Sequence, residues 1–160
     1  MLHKILQVTG KLFGKNKLSI LIYHQVLAKP DPMRPSEPTA EVFDWQMRLL
    51  RDYFSPLSLQ DALRHLQNNT LPANAVCVTF DDGYLDNWVY AYPLLKKYGF
   101  NAVIFLVTSW VKDGPVRPYL GQGQEVPECP VHRECEARIE QGRSDEVILR
   151  WSEIHAMQAD

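Results

Sequence analysis

Residues Ala75-Val76-Cys77-Val78-Thr79-Phe80 form a largely apolar run, unbroken over Ala75–Val78, that stops at two adjacent carboxylates, Asp81 and Asp82, with Gly83 behind them. A run this short and this apolar reads as a buried strand. Two more runs share its character, Leu18-Ser19-Ile20-Leu21-Ile22-Tyr23 and residues 101–107 (NAVIFLV), the latter buried on both faces by its composition. Helix-like segments separate the three. The alternation predicts consecutive βα units on a parallel sheet, an α/β fold. Chemistry in such folds gathers where strands end. Adjacent residues on extended backbone face opposite sides, so one Asp can hold a cation while the other does separate work. Two ionised carboxylates this close repel unless a metal or a shared proton compensates.

The intervening segments carry helix signals. Thr39 is a good N-cap for a helix over 40–53, whose Val42, Phe43, Met47, Leu49 and Leu50 form a broad apolar stripe. Ser58, with Asp61 three residues later, predicts a helix over 59–68 with Leu59, Ala62, Leu63 and Leu66 inward. A further helix is expected over 85–98, kinked or restarted at Pro93 and closed by Gly99. Pro30, Pro32, Pro35 and Pro38 make 29–38 a loop. Residues 112–146, rich in Pro, Gly and charge, read as a long insertion or loop. Ser152 is expected to cap a last helix.

A chain of 160 residues, 46% of them apolar, can build one ordinary domain with a core. Its net charge of −2 and lack of a basic stripe argue against nucleic acid. No run approaches the roughly 18 apolar residues of a membrane span. Cys77, Cys129 and Cys135 make no disulfide framework, and Cys77 reads as core. Within residues 1–17, Leu2, Ile5, Leu6, Leu12 and Phe13 recur at helical spacing among scattered lysines, a basic amphipathic segment. Packing against one end of the domain is the plainer expectation; weak contact with a membrane surface is the other. No clear signal peptide stands there, which on sequence alone points to the cytoplasm.

Thr79-Phe80-Asp81-Asp82-Gly83 resembles the first motif of the polysaccharide deacetylases, the NodB-homology or carbohydrate esterase family 4 enzymes. Leu21-Ile22-Tyr23-His24-Gln25-Val26 is similar to the strand that often opens these domains. Gly83-Tyr84-Leu85-Asp86-Asn87-Trp88, the AYPLLKKYG stretch and NAVIFLV follow in the family's order, and Trp151-Ser152-Glu153-Ile154 resembles the segment leading to its second motif. The resemblance implies a distorted (β/α) barrel of the glycoside hydrolase/deacetylase type, of which residues 18–160 are the N-terminal part, with the insertion at about 112–146. It implies a metal-dependent amidase that removes acetyl groups from N-acetylglucosamine units of a polysaccharide, in a family often periplasmic or extracellular. Zn²⁺ is the expected metal, with Co²⁺ or Ni²⁺ as alternatives. Asp81 matches the catalytic base and Asp82 a metal ligand. Tyr84, through a backbone N–H near the oxyanion, and His24, which ends its strand on the Asp81 side, are further candidates.

The family's second motif supplies two histidines spaced i and i+4 as further ligands. His3, His24, His65, His132 and His155 contain no such pair. Catalytic zinc sites use about three protein ligands, so this chain on its own is expected to be inactive. Two alternatives stand beside the enzyme. One is an inactive carbohydrate-binding or regulatory remnant. The second is a Mg²⁺ site for phosphate chemistry, for which Thr108 is a loose match. A further alternative, for one segment alone, is a zinc cluster at Cys129, His132 and Cys135; its spacing matches no standard structural site, and a loop with incidental cysteines is the plainer reading.

Overall fold

The structure, a computed structural model, describes residues 16–160; the amphipathic helix expected over 2–13 lies outside them. Four parallel strands form one sheet: β1 (Leu18–Tyr23), β2 (Ser55–Pro56), β3 (Ala75–Asp82) and β4 (Ala102–Leu106). β1 pairs with β3 from Leu18↔Ala75 to Tyr23↔Phe80. β4 pairs with β3 from Val78↔Ala102 to Asp82↔Leu106, and β2 covers only Ala75 and Val76. Because the β1 and β4 registers overlap, they occupy opposite edges of β3, and the short β2 shares the β4 edge. β3 is thus the central strand, and it runs two residues further than the apolar run, taking both carboxylates into the sheet.

The helices form where the sequence directs them, with exceptions. α1 (Ala40–Tyr53) starts at Thr39, whose hydroxyl accepts from the Val42 N–H. It buries Phe43, Met47 and Leu50, whereas Val42 is exposed. α2 (Leu59–Gln67) starts at Ser58, whose hydroxyl accepts from Asp61 N and donates to the Asp61 carboxylate. It buries only Ala62; Leu63 and Leu66, expected inward, face solvent. The 85–98 segment divides at Pro93 as expected, into a π-helical turn (Asn87–Ala91) and α3 (Tyr92–Tyr98). Gly99 ends α3 in the left-handed region, φ +68°, a conformation glycine adopts without steric cost.

Residues 112–146 are not simply loop. They contain α4 (His132–Glu140) and a 3-10 turn, Ser144–Glu146. α5 (Trp151–Gln158) is capped at Arg150 rather than Ser152. The Glu153 carboxylate accepts from the Arg150 N–H, and the Ser152 hydroxyl is used elsewhere, donating to Gly114 O.

The two faces of the sheet differ. Side chains alternate along each strand and align across paired ones. Val76, Val78 and Phe80, with Tyr23 and Ile104, pack on α1 and the π-helical turn in the core. The other face carries Ile20 and Ile22 of β1, Cys77, Thr79 and Asp81 of β3, and Phe105 of β4. There Ile20, Ile22 and Phe105 are 47%, 62% and 54% exposed, so the β4 run is not buried on both faces. Cys77, held between the flanking strands, is buried as expected of a core residue.

Candidate functional site

Asp81 and Asp82 are the last two residues of β3, opposite Phe105 and Leu106. Asp81 continues the open face. Asp82 adopts φ +69°, and Gly83 follows at φ +73°. Asp is among the few non-glycine residues that tolerate this region. At Gly83 a Cβ would stand 2.5 Å from Leu106 Cδ2, so the Leu106 side chain would have to move to admit one. This tight turn leaves both carboxylates half-exposed at the strand end. Among the described residues, no donor hydrogen-bonds either of them.

His24, just past β1, brings its Nε2 to 3.9 Å from Asp81 Oδ2, with both side chains partly open to solvent. The sequence-derived pairing of the two strand ends therefore holds spatially. Tyr84 is placed differently. Its side chain is buried, and its hydroxyl sits 3.1 Å from His132 Nδ1. Burial and the neighbouring Asp82 charge push the phenol far above its usual range. The side chain is therefore closed to a substrate. The bridge Tyr84↔Ile148 is flanked by Leu85 N→Val147 O and Leu149 N→Gly83 O, 2.8 and 2.9 Å. This is the non-hydrogen-bonded kind of antiparallel pair, so the Tyr84 N–H takes no part in it.

Two supports of the site are not visible in sequence patterns. The first is Asp86, a buried carboxyl that accepts from Val26 N, Gln25 Nε2 and Asn87 Nδ2 at 2.8–2.9 Å. Burial pushes its pKa up to about 7. The second is Arg117, which anchors the segment after the 3-10 turn. It donates from Nε and Nη2 to the two oxygens of the fully buried Glu153, 2.7 Å each, and to the carbonyls of Asp145 and Ile148. Residues 147–149 in turn hold Gly83 and Leu85.

The Cys129–His132–Cys135 segment is engaged elsewhere. His132 Nδ1 is occupied by Tyr84 and Nε2 lies 3.1 Å from Glu136 Oε1. Cys135 Sγ donates to Pro130 O, and burial pushes its thiol up to about 12. Among the described residues no three His, Cys, Asp or Glu stand close enough to hold a metal ion. This removes the zinc reading at the cysteines. Asp81, Asp82 and His24 do not form such a group by themselves. Among those residues, no helix is long and apolar enough to cross a membrane.

An accessible carboxylate pair at the end of a central parallel strand is the arrangement the sequence resemblance anticipated. The polysaccharide deacetylase family model matches residues 68–158, more than half of the chain, and the chain belongs to that family. YxkH of Bacillus subtilis (strain 168) is 38% identical over 93 residues, 57% of this chain and 32% of YxkH. The poly-β-1,6-N-acetyl-D-glucosamine N-deacetylase of Escherichia coli (strain K12) is 31% identical over 124 residues, 75% of this chain and 18% of that protein. A solved de-N-acetylase from Aggregatibacter actinomycetemcomitans superposes with a TM-score of 0.60 at 27% identity, covering 89% of this chain and 50% of that one. The chain thus spans a third or less of these curated relatives and half of the solved domain.

Proposed function

We propose that this chain is the N-terminal part of a metal-dependent hydrolase that removes N-acetyl groups from a polysaccharide containing N-acetylglucosamine. The observation that carries the reading is the Asp81–Asp82 pair: consecutive, accessible, without a hydrogen-bond donor among the described residues, and at the mouth of a parallel sheet. Asp82 would be one ligand of a divalent cation, Zn²⁺ by preference, with Co²⁺ or Ni²⁺ as substitutes. Such an ion supplies a water of lowered pKa and polarises the amide carbonyl. Asp81 lies one residue away on the open face, where it can accept a proton from an attacking water. The Tyr84 N–H, outside the neighbouring ladder, is a donor for the developing oxyanion. His24 orients the Asp81 carboxylate or meets the substrate.

The uncovered face supports the partial-barrel reading. Ile20, Ile22 and Phe105 are the kind of residues a barrel interior buries, and here they stand exposed beside Asp81. In this reading the sheet is one wall of a distorted (β/α) barrel. The remaining strands and metal ligands belong to a longer protein of which residues 1–160 are a piece.

The test is acetate release from a poly-N-acetylglucosamine oligomer with added Zn²⁺ or Co²⁺. Residues 1–160 alone should release little. A longer protein, in which a histidine pair follows α5, should release acetate, and Asp81→Asn should slow it at least ~100-fold. Robust turnover by the 160-residue chain, abolished by Asp81→Asn, would overturn the incompleteness. The second reading, an inactive carbohydrate-binding remnant, is favoured by the lack of a three-donor cluster among the described residues. It predicts oligosaccharide binding without acetate release in the longer protein.

A further inference from the structure

The stretch His24–Leu27 has no regular secondary structure of its own, yet five of its eight backbone polar groups are held. His24 O accepts from Asn87 Nδ2 at 3.0 Å. Gln25 N donates to Glu37 Oε2 at 3.2 Å, and Val26 N to Asp86 Oδ1 at 2.9 Å. Leu27 exchanges bonds with Pro38 O and Ala40 N. Two of these anchors, Asp86 and Asn87, lie only a few residues after Asp81 in the same segment. The contacts therefore close a ring: from the end of β3, through Asp86 and Asn87, across to His24–Val26, and back through the His24 imidazole to Asp81.

The inner ends of this ring are arranged at a cost. Gln25 and Asn87 are almost wholly buried, and both turn their NH₂ groups inward to donate. Among the described residues, the carbonyl oxygens Gln25 Oε1 and Asn87 Oδ1 have no hydrogen-bond partner. An orphaned buried acceptor costs on the order of 1–3 kcal/mol. What the arrangement preserves is the donation of Asn87 into His24 O and into Asp86, and of Gln25 into Asp86.

We infer that Asp86 and Asn87 are positioning residues that hold the His24 imidazole beside the Asp81 carboxylate. This rests on the reading of His24 and Asp81 as a working pair. The experiment therefore reads that pairing itself and not hydrolysis, so a failure to release acetate leaves it untouched.

The imidazole Cε1–H resonance of His24, assigned with His24→Gln, is recorded by NMR at fixed pH with and without Asp81→Asn. In the unsubstituted background the loss of the carboxylate charge should move the resonance. In an Asn87→Ala or Asp86→Ala background that response should fall by at least about half. Asp86→Asn keeps an oxygen for Val26 N and should retain the response, which a general loss of structure would not. Melting curves establish that each variant is folded. If the alanine variants do not fold, hydrogen exchange in the unsubstituted chain decides: the Val26 amide should be protected, and free exchange there would refute the clamp. The inference is overturned if folded Asn87→Ala and Asp86→Ala chains keep the full His24 response, or if Asp81→Asn never moves that resonance.

Discussion

Replacing Arg117 by alanine removes a bidentate partner from a carboxylate that has no access to water, because Glu153 is 0% exposed. Breaking a buried ion pair by deleting one side costs ~3–5 kcal/mol, since the other charge stays behind. Glu153 keeps two donors after the change, Arg117 N at 3.1 Å and Arg150 N at 2.9 Å. These place the expected cost at the lower end, ~3 kcal/mol. For a domain of this size, each kcal/mol shifts Tm by about 2–4 °C, so the loss is about 6–12 °C by circular dichroism. Adding Glu153→Gln removes the stranded charge and keeps one oxygen, so one of the two backbone N–H groups, which bond different oxygens of Glu153, retains its acceptor. The pair of substitutions should recover part of the loss, because the amide needs no counter-charge. The consequence should reach the functional site, because residues 147–149 carry the bonds to Gly83 and Leu85. Hydrogen exchange of Leu85 and Leu149 amides should accelerate in Arg117→Ala ahead of the β1–β3 ladder. A cost below about 1 kcal/mol, or no recovery on adding Glu153→Gln, would refute the buried-charge reasoning.

Asp86 should give the fold a pH dependence opposite in sign to that of an ordinary paired carboxylate. Its folded pKa of about 7 lies above the unfolded value, so its contribution is complete below about pH 4 and is lost as pH rises through 7. The loss is at most about 4 kcal/mol at 1.36 kcal/mol per unit. Asp86→Asn should flatten that slope in urea titrations between pH 4 and 7, and an unchanged slope would assign it elsewhere. Gly83→Ala should cost about 2–3 kcal/mol, from left-handed strain of ~1–2 kcal/mol plus displacement of Leu106; a melting temperature equal to that of the unsubstituted chain would show that the turn is not constrained. Tyr84→Phe should cost ~1–3 kcal/mol by leaving His132 Nδ1 unpartnered in the core, and a neutral result would mean that a water or the other tautomer serves His132.

What the sequence made legible was local. The apolar run before Asp81, the Thr39 cap, the Pro93 restart and the Gly99 stop each depend on a few adjacent residues, and each appears in the structure where expected. The His24–Asp81 approach was also readable, because parallel neighbouring strands put their C-terminal ends together. The failures were of two kinds. Leu63, Leu66, Val42 and Phe105 were expected to be buried, because an apolar stripe shows which side faces inward but not how much partner surface is there. The Arg117–Glu153 and Asp86–Val26 contacts join residues 36 and 60 positions apart, and no periodicity encodes such pairings. Ser152 misled for a related reason: its hydroxyl is drawn to Gly114 O by tertiary contact, and Glu153 caps the helix in its place.

The account divides the labour of two neighbouring carboxylates, Asp82 for the cation and Asp81 for the proton. Cobalt titration of the 160-residue chain, followed by calorimetry, tests that division most directly. Weak binding is predicted, at least about tenfold weaker in Asp82→Asn, a loss of about 1.4 kcal/mol, and within about threefold of the original in Asp81→Asn. Binding unaffected by Asp82→Asn, or abolished by Asp81→Asn alone, would contradict it.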